Sequence, residues 1–287
     1  MFSILIRTFN NLEYLKICID SINKNSKFNH EIIVHVNIGN DGTIDYLKKN
    51  SISYTLTEYN AGICEGINLA SKKASKDLIL YSHDDFYFCP KWDSVLIDEI
   101  KLLNHNKFYL SGSMFGPFGE NSIYCGDNYE NFDEVKLLNN FDKILIEDFQ
   151  GSTWAPHVIH KEYWKKIGGF SEEFFPGAGS DPDLNFKLWK EGVRIFKGIG
   201  KSKVYHFGSK TLRKEKNSFG SKSGKIFLLK WGITISFFKK HFLKSRTIFD
   251  GPLSNPKISI SYLIELFLCK IKYYYLKIFN RKKYVKT

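Results

Sequence analysis

Three polar side chains follow one apolar segment of the chain. Residues 77–81 are short, apolar and rich in strand-forming types, and they lead into His83, Asp84 and Asp85. Carboxylates at the end of a buried strand are costly to desolvate unless they hold a cation or accept hydrogen bonds. Ligands of open α/β sheets bind at that end. The cluster therefore indicates a Mg²⁺ or Mn²⁺ site shared with substrate phosphates, although the two aspartates could instead begin a turn or cap a helix.

The elements that would position this cluster alternate through the first half of the chain. Strands are predicted at residues 2–8, 30–36, 53–57 and 77–81, and helices at 12–25, at 44–50 and from the loop at 60–66 to about residue 73. Strands and helices that alternate at this spacing are typical of an α/β fold with a mostly parallel sheet and helices on both faces.

The second half of the chain is less regular. Strands are predicted at 108–114, within 152–159 and at 193–199, helices at 162–167 and 181–191, and an excursion at 116–140. Residues 210–225 are rich in Ser, Gly and Lys and are predicted to be a mobile connection. Helical segments at 227–243 and 259–279 follow it.

The positive charge is concentrated at one end of the chain. Residues 1–200 contain 21 Lys and Arg against 27 Asp and Glu, a net charge of −6, whereas residues 201–287 contain 21 against 3, a net charge of +18. This asymmetry indicates an anionic partner for the tail, either a membrane surface or nucleic acid. The acidic body and the lack of a recognisable nucleic-acid module disfavour nucleic acid.

Cysteine usage and apolar runs indicate the compartment. The five cysteines are scattered and form no CxxC pair, which predicts reduced thiols and no zinc site. The N-terminus has no signal-peptide pattern, and no uncharged apolar run approaches the ~18 residues of a membrane span. We therefore expect a cytoplasmic protein.

The last predicted helix is amphipathic and basic. Its apolar face contains Leu263, Phe267, Ile271, Tyr274 and Ile278. Lysines border this face on both sides, and a basic run follows it: Lys270, Lys272, Lys277 and residues 281–283. Such a helix suits a membrane interface with anionic head groups, which predicts peripheral binding to the inner face of a membrane. It could also pack on the body of the protein or bind a partner.

The order of segments over about residues 2–211 resembles the family 2 glycosyltransferases of the GT-A fold. Residues 4–10 are similar to the opening strand of that family, with Arg7 in place of its usual proline, and Val36 stands where the family has a base-binding aspartate. Residues 60–62 together with Asn68 resemble its Asn-x-Gly…Asn element. The resemblance implies that the nucleotide sugar is contacted by Arg7, Thr8, Asn10, Asn37, Asp41, Asn60, Gly62, Asn68 and Asp84.

Later motifs resemble the catalytic elements of the same family. His83-Asp84-Asp85 falls on its Asp-x-Asp metal motif, and residues 205–209 resemble its terminal histidine element. The resemblance implies that Asp85 and His206 hold Mn²⁺ or Mg²⁺. Residues 168–172 resemble its Gly-Gly-Phe-Asp-Glu loop, and residues 180–184 resemble Glu-Asp-x-Asp-Leu, with Ser180 departing from the pattern. Asp181 inherits the role of general base, although an aspartate before proline is also a good helix cap.

The resemblance implies a metal-dependent inverting glycosyltransferase with a nucleotide diphosphate sugar donor. A UDP-sugar is favoured, and the acceptor hydroxyl would belong to a glycan or a lipid-linked glycan. Arg7 or Lys210 could add a second positive contact to the departing diphosphate. The possible acceptor contacts are Trp154, His157 and Asp183. The changed positions Val36, His83 and Ser180 also allow an alternative, a non-catalytic module that binds a nucleotide sugar or a glycan.

These expectations divide the chain into two parts. Residues 1–225 are predicted to form the GT-A domain, with a nucleotide-sugar half at 1–115 and an acceptor half at 116–225. Residues 226–287 are predicted to form the basic, amphipathic helical extension.

Overall fold

A central sheet organises the protein. The computed structural model describes residues 1–118, 122–208 and 219–279, and among these residues the sheet has nine strands. In chain order they are β1 (Phe2–Phe9), β2 (Glu31–Asn37), β3 (Ser53–Thr57), β4 (Leu78–His83), β5 (Phe86–Phe88), β6 (Phe108–Phe115), β7 (Phe149–Gln150), β8 (His157–His160) and β9 (Ile195–His206). Their spatial order is β3-β2-β1-β4-β8-β6-β9-β5, and β7 pairs with β9.

Helices connect the strands and extend beyond the sheet. In chain order they are α1 (Leu12–Asn25), α2 (Thr43–Lys49), α3 (Gly62–Ser71), α4 (Trp92–Leu103), α5 (Glu134–Leu138), α6 (Lys161–Ile167), α7 (Ser180–Lys190), α8 (Phe219–Trp231), α9 (Ile235–Phe237) and α10 (Ile260–Phe279). A π-helical turn, Phe238–Phe242, continues α9. The predicted α/β class with a C-terminal helix is confirmed.

Parallel pairing is concentrated in the first half of the sheet. β1 lies between β2 and β4 and runs parallel to both, and β2 runs parallel to β3. Ile4, Leu5 and Ile6 of β1 are all fully buried, which is the pattern of a strand covered on both faces. In the second half β6 and β9 are parallel, but β8 is antiparallel to β4 and β6, so the sheet as a whole is mixed.

β5 and α4 are not predicted from the sequence. β5 has three residues, too few for a periodic pattern, and it pairs antiparallel with the end of β9 so that Phe86 faces His206. The N–H of Phe207 also donates to the carbonyl oxygen of Asp85 at 3.2 Å. This pairing brings two segments that lie more than a hundred residues apart to the carboxyl end of β4.

The C-terminal helices pack on the body. Lys230 of α8 forms a salt bridge with Glu173 at 2.7 Å, and Cys269 and Leu276 are the buried residues of α10. The predicted domain boundary after residue 225 falls inside α8, which begins at Phe219. The predicted mobile connection at 210–225 is wrong for its helical part, residues 219–225. Lys210, the rest of that connection and the basic run at 281–283 lie outside the described residues.

Candidate active site

Three side chains converge beyond the end of β4 as a possible metal site. One ligand atom from each of His83, Asp85 and His206 lies within 4.8 Å of the others. His206 Nε2 is 3.2 Å from Asp85 Oδ2, and His83 Nδ1 is 3.9 Å from Asp85 Oδ1. The structure therefore brings the two predicted ligands together and adds His83, which stands where the family motif has an aspartate. Two imidazoles and one carboxylate suit Mn²⁺ better than Mg²⁺, because Mg²⁺ prefers oxygen ligands.

Burial shapes the electrostatics around these ligands. His83 and Asp85 lie at the edge of the core, and burial lowers the pKa of His83 to about 4. Burial, together with the nearby charge of Asp85, raises the pKa of Asp84 to about 6, while the Arg7 guanidinium acts in the opposite direction. The neighbourhood therefore resists accumulating negative charge unless a cation balances it.

The neighbouring ends of β1 and β2, with the loop before α3, are lined by Arg7, Asn37, Asn60 and Gly62. Asn60 Oδ1 accepts hydrogen bonds from Arg7 Nη2 at 3.1 Å and from the N–H of Gly62 at 3.0 Å. Asn37 is fully buried at the end of β2, and its Oδ1 accepts a bond from the N–H of Ala61 at 3.0 Å. These bonds hold the loop between β3 and α3 against the ends of β1 and β2. The loop thus lies at the edge where open α/β sheets bind ligands.

Of the other predicted nucleotide contacts, Thr8 is buried in β1. The remaining side chains, those of Asn10, Asp41 and Asn68, hold loops together. The N–H of Asn40 donates to Asn10 Oδ1 at 3.0 Å. Asp41 accepts bonds through both carboxylate oxygens, one from the N–H of Leu12 at 2.8 Å.

Asn68 is the third loop-holding side chain. Its amide pairs with the backbone of Phe170, accepting from the N–H and donating to the carbonyl, both at 2.9 Å, and it also donates to Glu172. Both ends of the amide are thereby engaged by the Gly-Gly-Phe loop. In the structure the amide of Asn68 holds this loop, and its nucleotide contact stays a prediction.

Asp181 lies in the first turn of α7. Its side chain is 24% exposed, and burial raises its pKa to about 7, while Lys239 from the C-terminal segment lowers that pKa. His157 Nδ1 is 3.8 Å from Asp181 Oδ1. Among the described residues, no hydrogen-bond donor reaches the buried Oδ1 of Asp181. A partly exposed carboxylate with a pKa near neutrality has the properties of a general base.

A row of aromatic rings connects Asp181 to the metal-ligand cluster. The Tyr81 ring lies 5.4 Å from the His83 ring and 5.2 Å from the His157 ring, and all three side chains lie on neighbouring strands β4 and β8. The charge of Asp181 also contributes to raising the pKa of Tyr81 after burial, which dominates. The candidate base and the candidate ligands therefore lie around one buried tyrosine, a residue that the sequence analysis did not single out.

The three possible acceptor contacts differ in accessibility. His157 is 1% exposed and packs against Tyr109 at 4.6 Å, and burial lowers its pKa to about 3. Trp154 is half-buried and stacks on Phe149 at 5.1 Å, so one ring face is covered. Of the three, Trp154 keeps the most accessible surface.

Asp183 is fully buried and already paired. It accepts hydrogen bonds from Ser171 Oγ at 2.6 Å and Trp231 Nε1 at 2.7 Å, and Lys230 Nζ lies 3.0 Å away. This carboxylate joins α7 to the loop at residues 168–172 and to α8, and its acceptor contact stays a prediction.

A sequence model and a relative match this chain. The model of glycosyl transferase family 2 matches residues 3–155. An uncharacterised glycosyltransferase of Rickettsia prowazekii, RP339, is 28% identical over 194 residues, which span 66% of this chain and 58% of that protein.

Solved structures share the fold. The structure of S. aureus TarS 1-349 in complex with UDP-GlcNAc superimposes with a TM-score of 0.58 at 12% identity, over 98% of this chain and 74% of that one. The structure of GalNAc-T7 with UDP, GalNAc and Mn²⁺ gives a TM-score of 0.60 at 14% identity, over 83% of this chain and 49% of that one.

Proposed function

The chain belongs to glycosyl transferase family 2, and on that basis we propose that it is a metal-dependent, inverting glycosyltransferase. The donor would be a nucleotide diphosphate sugar, with a UDP-sugar favoured because the structures of TarS and GalNAc-T7 that share the fold contain UDP-GlcNAc and UDP, respectively. The observation that carries the proposal is the convergence of His83, Asp85 and His206 at one strand end, with Asp181 close by across Tyr81.

The donor would lie along the ends of β1, β2 and β4. Arg7, Asn37 and Asn60 form one hydrogen-bonded edge there, and Arg7 would add positive charge near the diphosphate. Thr8, Gly62 and Asp84 complete this edge, and Asn10 and Asp41 shape the adjoining loop. Mn²⁺ or Mg²⁺ held by His83, Asp85 and His206 would supply Lewis-acid stabilisation of the leaving diphosphate.

Asp181 would act on the acceptor. Its carboxylate takes the proton of the acceptor hydroxyl as that oxygen bonds to the anomeric carbon, and the bond from this carbon to the diphosphate breaks with its electron pair on the diphosphate oxygen. A single displacement of this kind inverts the anomeric centre. Trp154 and His157 are the proposed acceptor contacts, with the indole offering a surface for a sugar ring. The acceptor itself would be a glycan or a lipid-linked glycan.

The experiment screens a panel of nucleotide sugars with Mn²⁺ for hydrolysis and for binding by calorimetry. Asp181→Asn should reduce turnover by about 10²–10⁴-fold and leave donor affinity unchanged. Asp98→Asn is the matched control, because this aspartate is 70% exposed on α4 and should change neither quantity. Full turnover in Asp181→Asn would reject the assigned base, and donor binding without turnover by the unmodified protein would favour the non-catalytic alternative.

We also propose that the protein binds a membrane surface peripherally. Within the described ranges, no helix has the length and apolar character needed to cross a bilayer. α10 instead exposes a continuous apolar arc, defined by Ile260, Leu263, Ile264, Phe267, Leu268, Ile271, Tyr274, Tyr275, Ile278 and Phe279. Exposed lysines flank the arc on both sides, Lys270 and Lys277 on one and Lys272 on the other. Co-sedimentation with phosphatidylglycerol-containing vesicles, and its absence with neutral vesicles, tests this proposal.

A further inference from the structure

A groove lies between α8 and α10. It has a volume of about 610 Å³ and is lined mainly by apolar side chains and one glycine, among them Gly224, Leu228, Ile235, Ile271, Tyr275 and Leu276. Volumes of roughly 300–1,000 Å³ are typical of sites for small organic ligands. The groove is therefore large enough to be a binding site rather than a packing defect.

The groove is continuous with the apolar arc of α10. Ile271 and Tyr275 line the groove and are also 51% and 58% exposed members of the arc. Leu276 and Leu228, which line it too, are 7% and 4% exposed. Apolar surface thus runs without interruption from the outside of the helix into the space between the two helices. A flexible hydrocarbon chain fits such a path, because it can leave a bilayer without exposing its methylenes to water.

The charges along the groove favour an anionic head group. Lys225 and Lys272 line it, and no Asp or Glu is found among the described residues that line it. Lys272 also borders the arc, so its ammonium group lies where the surface passes from apolar to polar. Ammonium groups that border an apolar surface complement the phosphates of an anionic bilayer.

We propose that the groove between α8 and α10 binds one hydrocarbon chain of an anionic membrane lipid, with its phosphate at Lys272. The chain enters from the bilayer on which the arc rests. This lipid site would add one specific lipid contact to the adsorption of the arc. The site rests on the proposed membrane binding and is independent of the donor and of the proposed transfer reaction.

Gly224 provides a selective test. A Cβ added there would meet no atom within 4 Å, and the residue lies inside a helix, so a larger side chain can point into the groove without loss of helix stability. Gly224→Phe fills the groove, and Gly224→Ala is the matched control that adds only a methyl group. The probe is palmitoyl-lysophosphatidylglycerol below its critical micelle concentration, with binding measured by calorimetry on the full chain.

We expect Gly224→Phe to weaken binding of this lysolipid by about tenfold or more, since excluding even two methylenes from an apolar site has an effect of that size. Gly224→Ala should bind as the unmodified protein does. Both variants should keep the unmodified melting temperature without lipid, which shows that they fold. Unchanged lysolipid binding in Gly224→Phe would overturn the proposal.

Two further comparisons separate this site from simple adsorption. Phe267→Glu alters the arc but not the groove lining, so it should weaken vesicle binding and leave lysolipid binding unchanged. Loss of lysolipid binding in this variant would overturn the groove as the site. Zwitterionic palmitoyl-lysophosphatidylcholine should bind more weakly than the anionic probe, and equal affinity would overturn the role of Lys272.

Discussion

Charged side chains at the carboxyl end of the sheet are few and enclosed, whereas those of the C-terminal helices are many and exposed. Asp84 and Asp85 are 8% and 7% exposed. Lys270, Lys272 and Lys277 are exposed on α10. An enclosed charge interacts strongly with a few neighbours, while an exposed charge is screened by water and salt. The first region should therefore respond sharply to single substitutions, and the second should respond in small increments that add together.

The largest effect is expected at Asp85. Asp85→Asn removes the only carboxylate among the three candidate ligands, and we expect turnover to fall on the order of 10³-fold or more, because a bound cation contributes several kcal/mol to catalysis. Calorimetric titration with Mn²⁺ should show weakened binding. His105→Ala, on the loop after α4, is the control. An Asp85→Asn protein that keeps normal Mn²⁺ affinity would contradict the proposed metal site.

The pH dependence of turnover should depend on Asp181. A base with a pKa of about 7 is half protonated near neutral pH. The kcat/KM for the donor should therefore fall as pH decreases below about 7, and the decrease should approach tenfold for each pH unit. The residual activity of Asp181→Asn should lack this fall. A wild-type profile that stays flat between pH 5 and pH 7 would show that another group accepts the proton.

Ionisation of Asp181 should lower the free energy of unfolding. Because its pKa is higher in the folded chain than in the unfolded one, folding is favoured while the group is protonated, and stability is lost as pH rises from about 4 through about 7. Asp181→Asn should therefore be more stable than the unmodified protein at pH 8, by about 1–3 kcal/mol after allowance for the exposed part of the side chain, and equal to it near pH 4. Urea unfolding at the two pH values measures the difference.

The smallest individual effects are expected on α10. Each of Lys270, Lys272 and Lys277 should contribute about 1 kcal/mol to binding of anionic vesicles, so each change to Gln should weaken binding about fivefold. The triple variant should show a reduced salt dependence and unchanged turnover on a soluble acceptor. One lysine that accounted for the whole effect would mean that this region, too, depends on a specific enclosed contact.

Local sequence patterns were sufficient for much of the fold. The bounds of α1 and β3 agree with the prediction, because their apolar spacing and flanking turn residues are local signals. The three-residue β5 and helix α4 were missed. The position of β5 depends on pairing with β9, so three residues of apolar sequence could not identify the strand. Helix α4 was missed although its buried residues recur at helical spacing, which is a local signal.

The sequence by itself determined which residues could do chemistry: an aspartate pair after a buried strand, an aspartate at the start of α7, and a histidine at the end of β9. Only the tertiary structure decided which of them meet. Pairing of β5 with β9 places His206 beside Asp85, His83 joins them, and Asn68 and Asp183 are used to hold loops. The physical reason is that ligand geometry and pKa depend on neighbours that are distant along the chain, whereas helix and strand periodicity depends on neighbours that are close.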